Sequence, residues 1–323
     1  MRYFSQSNRL SWFFTTFLAL FFLSACSESE PIVSQPAQAS PAVVVEKKVI
    51  ALVMKTLTNP FFIEMERGAR AAEQQLGASL VVKTAAQETS IQQQIGIVEE
   101  LIRDQVDAIV IAPGDSVELV PVLKQARDAG IVVVNIDNRL DPEFAKVSGL
   151  TGVPFISIDN EQAAYYAAQT LTRQMTAPTE VAILEGIRTA ENAKDRKNGA
   201  LRAFRDEPLA MLVAMETAHW KIDEAYEVTR KIFAQHPNIG ALFCANDMMA
   251  LGAIQYLQEA KRSDVKVAGF DALDEALAAV KAGHMLATVD QQAAEQGYQG
   301  IVFANRALQG ERLPAVILID SRI

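Results

Sequence analysis

The feature of this chain that most constrains its fold is a regular alternation of short apolar runs with longer amphipathic segments. The run Val49–Met54 has the length of a buried strand, and the next segment spaces Phe61, Met65 and Ala69 as one face of a helix. Further apolar runs lie at 80–82, 108–111, 131–136, 181–184, 211–215, 241–245, 265–270 and 286–289, and helical patterns at 60–76, 91–102, 117–129, 163–175, 198–205, 226–233, 248–257, 273–280 and 295–308. Strands that alternate with helices in this way predict βα units and parallel sheets.

The number of strands indicates how these units are arranged. So many strands are too many for one comfortable twisted open sheet. Strands that are apolar throughout also suit sheets covered by helices on both faces. We therefore predict an α/β fold of two doubly wound parallel-sheet lobes. The stretch 141–159 contains two glycines, two prolines and no helical face, and we predict that it forms the first crossing between the lobes.

The N-terminus has the pattern of an export signal. Arg2 and Arg9 precede an uncharged apolar run at 10–25, which ends in Leu-Ser-Ala before Cys26. We interpret 1–25 as a lipoprotein signal peptide, Cys26 as the lipidated residue and 26–46 as a flexible tether. An uncleaved membrane anchor is the alternative, but the run is shorter than the ~20 apolar residues that a spanning helix needs.

Charge and cysteine content narrow the possible functions. The net charge is −9 and the sequence has no block of Lys and Arg, so we expect no nucleic-acid partner. Cys244 lies in an apolar run and is interpreted as a small buried hydrophobe. With three His residues and no clustered cysteines, we predict neither a metal site nor a cofactor.

Polar and aromatic residues follow most of the predicted strands. Ligands of open parallel sheets bind outside the carboxyl ends of the strands, so these residues are expected to converge on one cleft. Aromatic rings can cover the apolar faces of a sugar, while charged and amide groups hydrogen-bond its hydroxyls. The candidate ligand-binding residues are Lys55, Asn59, Phe61, Phe62, Asp137, Asn138, Arg196, Trp220, Asn246, Asp271 and Gln291. We assign no catalytic residue.

Each candidate also has a purely structural interpretation. Phe61 and Phe62 could be core residues at a helix start, with one of the two facing the core. Asn59 and Asp247 could be helix N-caps. Asp137 and the residue after it could form a simple turn. It is the joint position of the candidates at strand ends that favours a binding site.

Three segments carry a resemblance to a known family. They are 54–62 (MKTLTNPFF), 243–252 (FCANDMMALG) and 267–271 (VAGFD). With these segments the chain resembles the type I periplasmic sugar-binding proteins of ABC transporters, in particular the ribose- and D-allose-binding family, and the likeness extends from residue 49 to about residue 320.

The resemblance implies specific roles for the candidate residues. It implies that aromatic residues sandwich the sugar ring and that polar residues bind its hydroxyls. Phe62 stands where the allose binders have Trp, and Asn138 where they have Glu and the ribose binders Arg, so neither sugar is carried over as the ligand. The implied ring contacts are Phe61, Phe62 and Trp220, and the implied hydroxyl contacts are Lys55, Asn59, Asp137, Arg196, Asn246, Asp271 and Gln291.

The resemblance further implies a hinge of three chain crossings, near Asp159, Gln291 and Ile317. We predict a first lobe of residues 47–158 plus 292–316 and a second lobe of 159–291 plus 317–323. Closure of the lobes on a monosaccharide or polyol would create the surface that an ABC permease recognises. The protein is then expected to be a monomer in the periplasm, attached to a membrane by its lipid.

Three other functions are alternatives to transport. A sensor that presents its ligand to a chemoreceptor or membrane kinase would use the same site. A transcriptional regulator would need a helix-turn-helix before Val49, where the signal and tether lie instead. A glycosidase could use Asp137 and Asp271 as acid and base. Because Arg196 and Lys55 are expected to keep both carboxylates ionised, we favour binding over catalysis.

Overall fold

The computed structural model describes residues 47–323. The predicted signal peptide 1–25, the lipidation residue Cys26 and the remainder of the tether 26–46 lie outside the described residues. The strands are β1 (Val49–Met54), β2 (Ser79–Thr84), β3 (Ala108–Ile111), β4 (Val132–Ile136), β5 (Phe155–Ser157), β6 (Thr179–Glu185), β7 (Ala210–Thr217), β8 (Ile239–Cys244), β9 (Lys266–Ala268) and β10 (Val316–Leu318). The helices are α1 (Pro60–Leu76), α2 (Ile91–Arg103), α3 (Val120–Asp128), α4 (Pro142–Val147), α5 (Asn160–Thr172), α6 (Glu191–Asp206), α7 (Ile222–Gln235), α8 (Asp247–Glu259), α9 (Asp274–Lys281) and α10 (Ala293–Leu308).

The strands form two separate parallel sheets, which confirms the predicted fold class. The first sheet has six strands in the order β10-β5-β4-β3-β1-β2, and the second has four in the order β7-β6-β8-β9. The first strand of each sheet in chain order, β1 or β6, lies between the two strands that follow it in the sequence. The later strands are then added on one side only. A crevice forms at such a switch point, outside the carboxyl ends of the strands.

The central strands of the first sheet, β1, β3 and β4, are buried on both faces. Along β1, Ile50 and Leu52 pack into one hydrophobic cluster, whereas Ala51 and Val53 pack into another. Side chains alternate between the two faces of a strand, so helices must cover each face of this sheet. This is why β1 is an apolar run without polar alternation.

Helix α1 starts and ends as its sequence predicts. The side chain of Asn59 accepts a hydrogen bond from the Phe61 backbone N–H, Pro60 occupies the first turn, and Gly77 ends the helix with a φ of 66°. Its packing against α10 is close: a Cβ on Gly297 would lie 2.0 Å from the Met65 backbone oxygen.

Several boundaries differ from the sequence-based expectation. The predicted crossing 141–159 contains α4 and β5, and α6 begins at Glu191 instead of residue 198. The predicted strand 286–289 forms only an isolated bridge between Ala287 and Ala268. Helix α4, strand β5 and the first turns of α6 are too short or too polar to show an apolar period.

The end of the chain also differs. Strand β10 pairs with β5 in the first sheet, so residues 317 and 318 do not join the second lobe as predicted. The chain leaves the first sheet only after Leu318, and Arg322 then pairs with Asp290. The third crossing therefore lies beyond Ile317.

Within residues 47–323, no helix is both long enough and apolar enough to cross a membrane.

Candidate functional site

A small cavity lies where loops from the two sheets meet. Most of its wall comes from the loops and first helical turns that follow strands, as the strand-end rule predicts. Residues from both sheets contribute, so the cavity belongs to the cleft between them. It is lined by Lys55, Asn59, Phe61, Phe62, Glu88, Asp137, Asn192, Arg196, Trp220, Asn246, Asp271 and Gln291.

The loops of the first sheet place a buried ion pair in the cavity. Lys55 follows β1 and Asp137 follows β4, and the Lys55 Nζ lies 2.7 Å from Asp137 Oδ2. The backbone of Asp137 is in the left-handed region, with a φ of 62°, which turns its carboxylate toward the cleft. Both groups are charged hydrogen-bonding groups of the kind that hold hydroxyls strongly.

Asn59 combines a structural role with a place in the cavity. Its Oδ1 caps α1, and its Nδ2 donates to Glu88 Oε1 at 3.0 Å. The N-cap interpretation of Asn59 is therefore correct, while the residue also lines the cavity. Its bond to Glu88 fixes the loop after β2 against the start of α1.

Three aromatic rings line the cavity. Phe61 and Phe62 meet edge to face with their centroids 5.2 Å apart, and both line the cavity while packing into the core. Trp220 lies on the second-sheet side, directly against Gly186, where a Cβ would come within 2.0 Å of the indole ring. Gly186 therefore leaves the room in which the indole lies flat.

Arg196 is the most highly connected side chain of the second-sheet wall. It donates to Asn160 Oδ1 at 2.9 Å, to the Ala245 carbonyl at 2.9 Å and to Gln291 Oε1 at 2.8 Å. Its guanidinium lies 4.0 Å from the Phe270 ring centroid, and Nη1 lies 3.8 Å from Asp271 Oδ1. These contacts fix the planar group at the base of the cavity.

Asn246 combines its place in the cavity with the capping role that was expected of Asp247. Asn246, and not Asp247, is the N-cap of α8: its Oδ1 accepts from the Met249 backbone N–H at 2.9 Å. Asp247 is fully buried and accepts from the backbone of Phe270 and Leu273. Asp247 thus fixes the loop that carries Asp271.

Burial dominates the electrostatics of the cavity. It raises the pKa of Asp271 well above its ordinary range, against the opposing effect of Arg196. Burial also raises the pKa of Glu88 and lowers the pKa of Arg196. Burial of Asp271 thus opposes the attraction to Arg196 that was expected to keep its carboxylate ionised.

Apart from Asp137 Oδ2, which is ion-paired with Lys55, two buried polar atoms of the cavity residues lack a hydrogen-bond partner within residues 47–323: Asn192 Oδ1 and Trp220 Nε1. One is an acceptor and the other a donor. Buried polar groups are nearly always paired in folded proteins. A ligand with hydroxyl groups could satisfy both atoms.

Sequence reasoning placed one candidate wrongly and missed two. Asn138 does not line the cavity; its amide donates to the Pro113 carbonyl at 3.0 Å and to Ser116 Oγ at 3.2 Å. Glu88 and Asn192 were missed although both follow strands. Applying the strand-end rule to β2, and starting α6 at Glu191, would have found them.

Two lobes of parallel sheet with a polar and aromatic cleft between them define a two-lobed binding protein. The chain belongs to the periplasmic binding protein family, because the model of that family, described as a periplasmic binding protein domain, matches residues 50–312.

Individual relatives share most of the chain's length. The chain is 41% identical over 297 residues to the D-ribose/D-allose-binding protein of Pseudomonas aeruginosa, covering 91% of each chain. It is 33% identical to the D-allose-binding periplasmic protein of Escherichia coli, covering 84% of this chain and 90% of that one. A solved ABC transporter periplasmic solute binding protein from Actinobacillus succinogenes, with bound D-allose, superposes with a TM-score of 0.81 at 37% identity, covering 85% of this chain and 96% of that one.

Proposed function

We propose that this protein captures a monosaccharide or polyol of the ribose or allose type between its two lobes and delivers it to an ABC permease. The observation that carries the proposal is the cavity itself, in which three aromatic rings lie beside charged and amide side chains from both sheets. Aromatic rings suit the C–H faces of a sugar, and the polar groups suit its hydroxyls. The names of the relatives from P. aeruginosa and E. coli support this ligand class.

The ligand contacts are proposed residue by residue. The aromatic residues would enclose the ring, and Lys55, Asp137, Arg196 and Asp271 would bind hydroxyls. Glu88 and Asn192 join the contacts predicted from the sequence, whereas Asn138 leaves them. The proposed contacts are the lining residues of the cavity given above.

A ligand screen tests the proposal. We expect D-allose, D-ribose or a related aldose, ketose, polyol or cyclitol to raise the melting temperature of the full chain. A ligand at 100 times its Kd adds about 2.7 kcal/mol to the free energy of unfolding. Trp220→Ala should abolish the shift, because the ring face is lost. If no small carbohydrate stabilises the wild-type protein, the proposal is wrong.

Closure of the lobes would complete the site. The proposed lobes follow the predicted boundaries, except that the first lobe extends through β10 to Leu318. A ligand that contacts both lobes favours the closed arrangement over the open one. The closed protein, as a monomer, would then be the form that the permease recognises.

The lipid anchor is a separate proposal that rests on the sequence around Cys26. We expect the protein to fractionate with membranes and to face the periplasm. The variant Cys26→Ser should release it from the membrane. Cys244→Ser is the matched control, since Cys244 is buried in β8 and should leave the protein membrane-bound. Release of both variants, or of neither, would contradict the anchor.

We further propose that the protein catalyses no reaction on its ligand. The alternative role as a sensor partner shares the same cavity, but the relatives named above are described as binding proteins and as part of an ABC transporter. Incubation with a panel of disaccharides tests the first point: release of monosaccharides would instead indicate an enzyme.

A further inference from the structure

Helix α6 begins without a cap of its own. Its N-cap residue is Ala190, which has no polar side-chain atom. The first backbone N–H groups of a helix have no partner inside the helix and need an acceptor from elsewhere. Ala190 is also completely buried, so bulk water does not supply that acceptor in this arrangement.

The missing acceptors come from the other lobe. Ser116 Oγ accepts from the Glu191 backbone N–H at 2.9 Å, and Asn138 Oδ1 accepts from the Asn192 backbone N–H at 3.1 Å. Ser116 lies in the loop after β3 and Asn138 in the loop after β4, both in the first sheet. Helix α6 follows β6 of the second sheet. The start of the helix is therefore capped across the cleft.

Contacts within the first lobe also hold the side chains of Ser116 and Asn138 in position. Asn138 Nδ2 donates to the Pro113 carbonyl and to Ser116 Oγ within the first lobe. Ser116 and Asn138 are both fully buried, and neither lines the cavity. Their contact with α6 therefore requires closed lobes but no ligand atom.

We propose that Ser116 and Asn138 form an inter-lobe cap that sets ligand affinity without selecting among ligands. The inference rests on the proposed function, since it assigns these residues to the closure of the same site. In the open arrangement the Glu191 and Asn192 N–H groups would donate their hydrogen bonds to water instead. The cap therefore adds free energy to the closed arrangement alone, and the apparent affinity depends on the fraction of protein that can close.

The inference changes the role of Asn138. A residue next to Asp137 in the sequence was expected to select the sugar by contact. Its side chain instead points away from the cavity and contacts the first turn of α6. A change at this position should therefore act on all ligands alike.

Calorimetric titration with D-allose and with D-ribose tests the inference. We expect Ser116→Ala to weaken both affinities by about the same factor, about fivefold, which corresponds to about 1 kcal/mol for a lost cap. The double variant Ser116→Ala with Asn138→Ala should weaken both further. The matched control is Asp141→Ala, which removes the N-cap of α4 within the first lobe and should leave both affinities unchanged.

Two results would overturn the inference. Unchanged affinities in Ser116→Ala would mean that the inter-lobe cap does not contribute to closure. A loss for one sugar that differs strongly from the loss for the other would indicate ligand contact or altered selectivity.

A second measurement separates the inter-lobe cap from the proposed function. If neither sugar nor any other carbohydrate binds the wild-type protein, the proposed function is wrong. Amide hydrogen exchange then tests whether the inter-lobe cap exists. In the protein without ligand, closed molecules protect the Glu191 amide through Ser116 Oγ, so Ser116→Ala should speed its exchange by up to about fivefold relative to both the wild type and Asp141→Ala. Equal exchange rates in all three proteins would refute the cap.

Discussion

Three residues at the cavity have positive backbone φ angles, which residues other than glycine seldom adopt. Asp137, Trp220 and Asp271 have φ values of 62°, 68° and 132°. Each such residue costs about 1–3 kcal/mol and is retained when the surrounding structure enforces it. All three line the cavity. The strain therefore coincides with the residues whose side chains must converge on a ligand.

Gly186 controls the position of the Trp220 ring. Because an added Cβ would lie 2.0 Å from the indole, we expect Gly186→Ala to displace the ring and weaken sugar binding about tenfold or more. Calorimetric titration with the ligand found in the screen measures this. The control is Gly96→Ala, whose Cβ would meet nothing within 4 Å; it should stabilise α2 slightly and keep the affinity. Normal affinity in Gly186→Ala would refute the prediction.

Asp195 should make stability depend on pH. Burial, together with the charges of Glu191 and Glu161, raises the pKa of Asp195 from 3.8 to about 6. The folded protein then holds this proton more tightly than the unfolded chain, so stability is lost as pH rises from about 4 to about 6. Because the group is partly solvated, the loss is about 1 kcal/mol or less.

The variant Asp195→Asn removes this effect. We expect it to be more stable than the wild type above pH 6, with the difference vanishing below about pH 4. Urea unfolding across this range measures the difference. Glu99→Gln, a neutralisation at an exposed position of α2, should show no such pH-dependent gain. A constant difference at every pH would contradict the assigned cause.

At the scale of elements, α1 and α10 depend on close backbone contact. Gly297 faces the Met65 carbonyl, and Gly68 faces the Ala294 carbonyl. Alanine normally stabilises a helix relative to glycine. Here we expect Gly297→Ala to destabilise the protein by about 2–3 kcal/mol. The added Cβ would clash with the Met65 backbone, which cannot move aside as a flexible side chain can. Urea unfolding with Gly96→Ala as the control measures this, and a stabilised Gly297→Ala would contradict the contact.

The sequence predicted elements well where an apolar period was present. Helix α1 was placed correctly because its apolar spacing and its Asn, Pro and Gly signals agree. The first turns of α6, with the sequence ENAKDRK, have no apolar face to mark them. Strand β5 has three residues, too few for any period. Cleft residues were predictable from strand ends, but the opposite directions of the Asp137 and Asn138 side chains follow from backbone geometry alone.

At the scale of the whole molecule, Arg196 links two segments at which the chain is predicted to cross between the lobes. It donates hydrogen bonds to Asn160, just after the predicted first crossing, and to Gln291, at the predicted second one. The guanidinium carries five donors in a fixed plane, and its three nitrogens each make one of the hydrogen bonds described above, which lysine cannot reproduce. The guanidinium therefore lies beside the predicted hinge as well as in the cavity.

We expect Arg196→Lys to weaken sugar binding by at least about 30-fold, corresponding to about 2 kcal/mol, and to lower the melting temperature without ligand. Calorimetric titration and thermal unfolding measure the two effects. Arg202→Lys, on the same helix but paired with Glu161 at a half-exposed position, should retain the affinity. Equal affinities in both variants would exclude Arg196 from the site.

The pairing of β10 with β5 has a consequence for the order in which the molecule is built. The second sheet comes from one unbroken stretch, residues 179–268, whereas the first needs β10 and packs against α10, both from the last part of the chain. Chains are synthesised from the N-terminus. We therefore expect the second lobe to finish folding while the first still waits for its final strand, so that the lobe that begins the chain is the last to be completed.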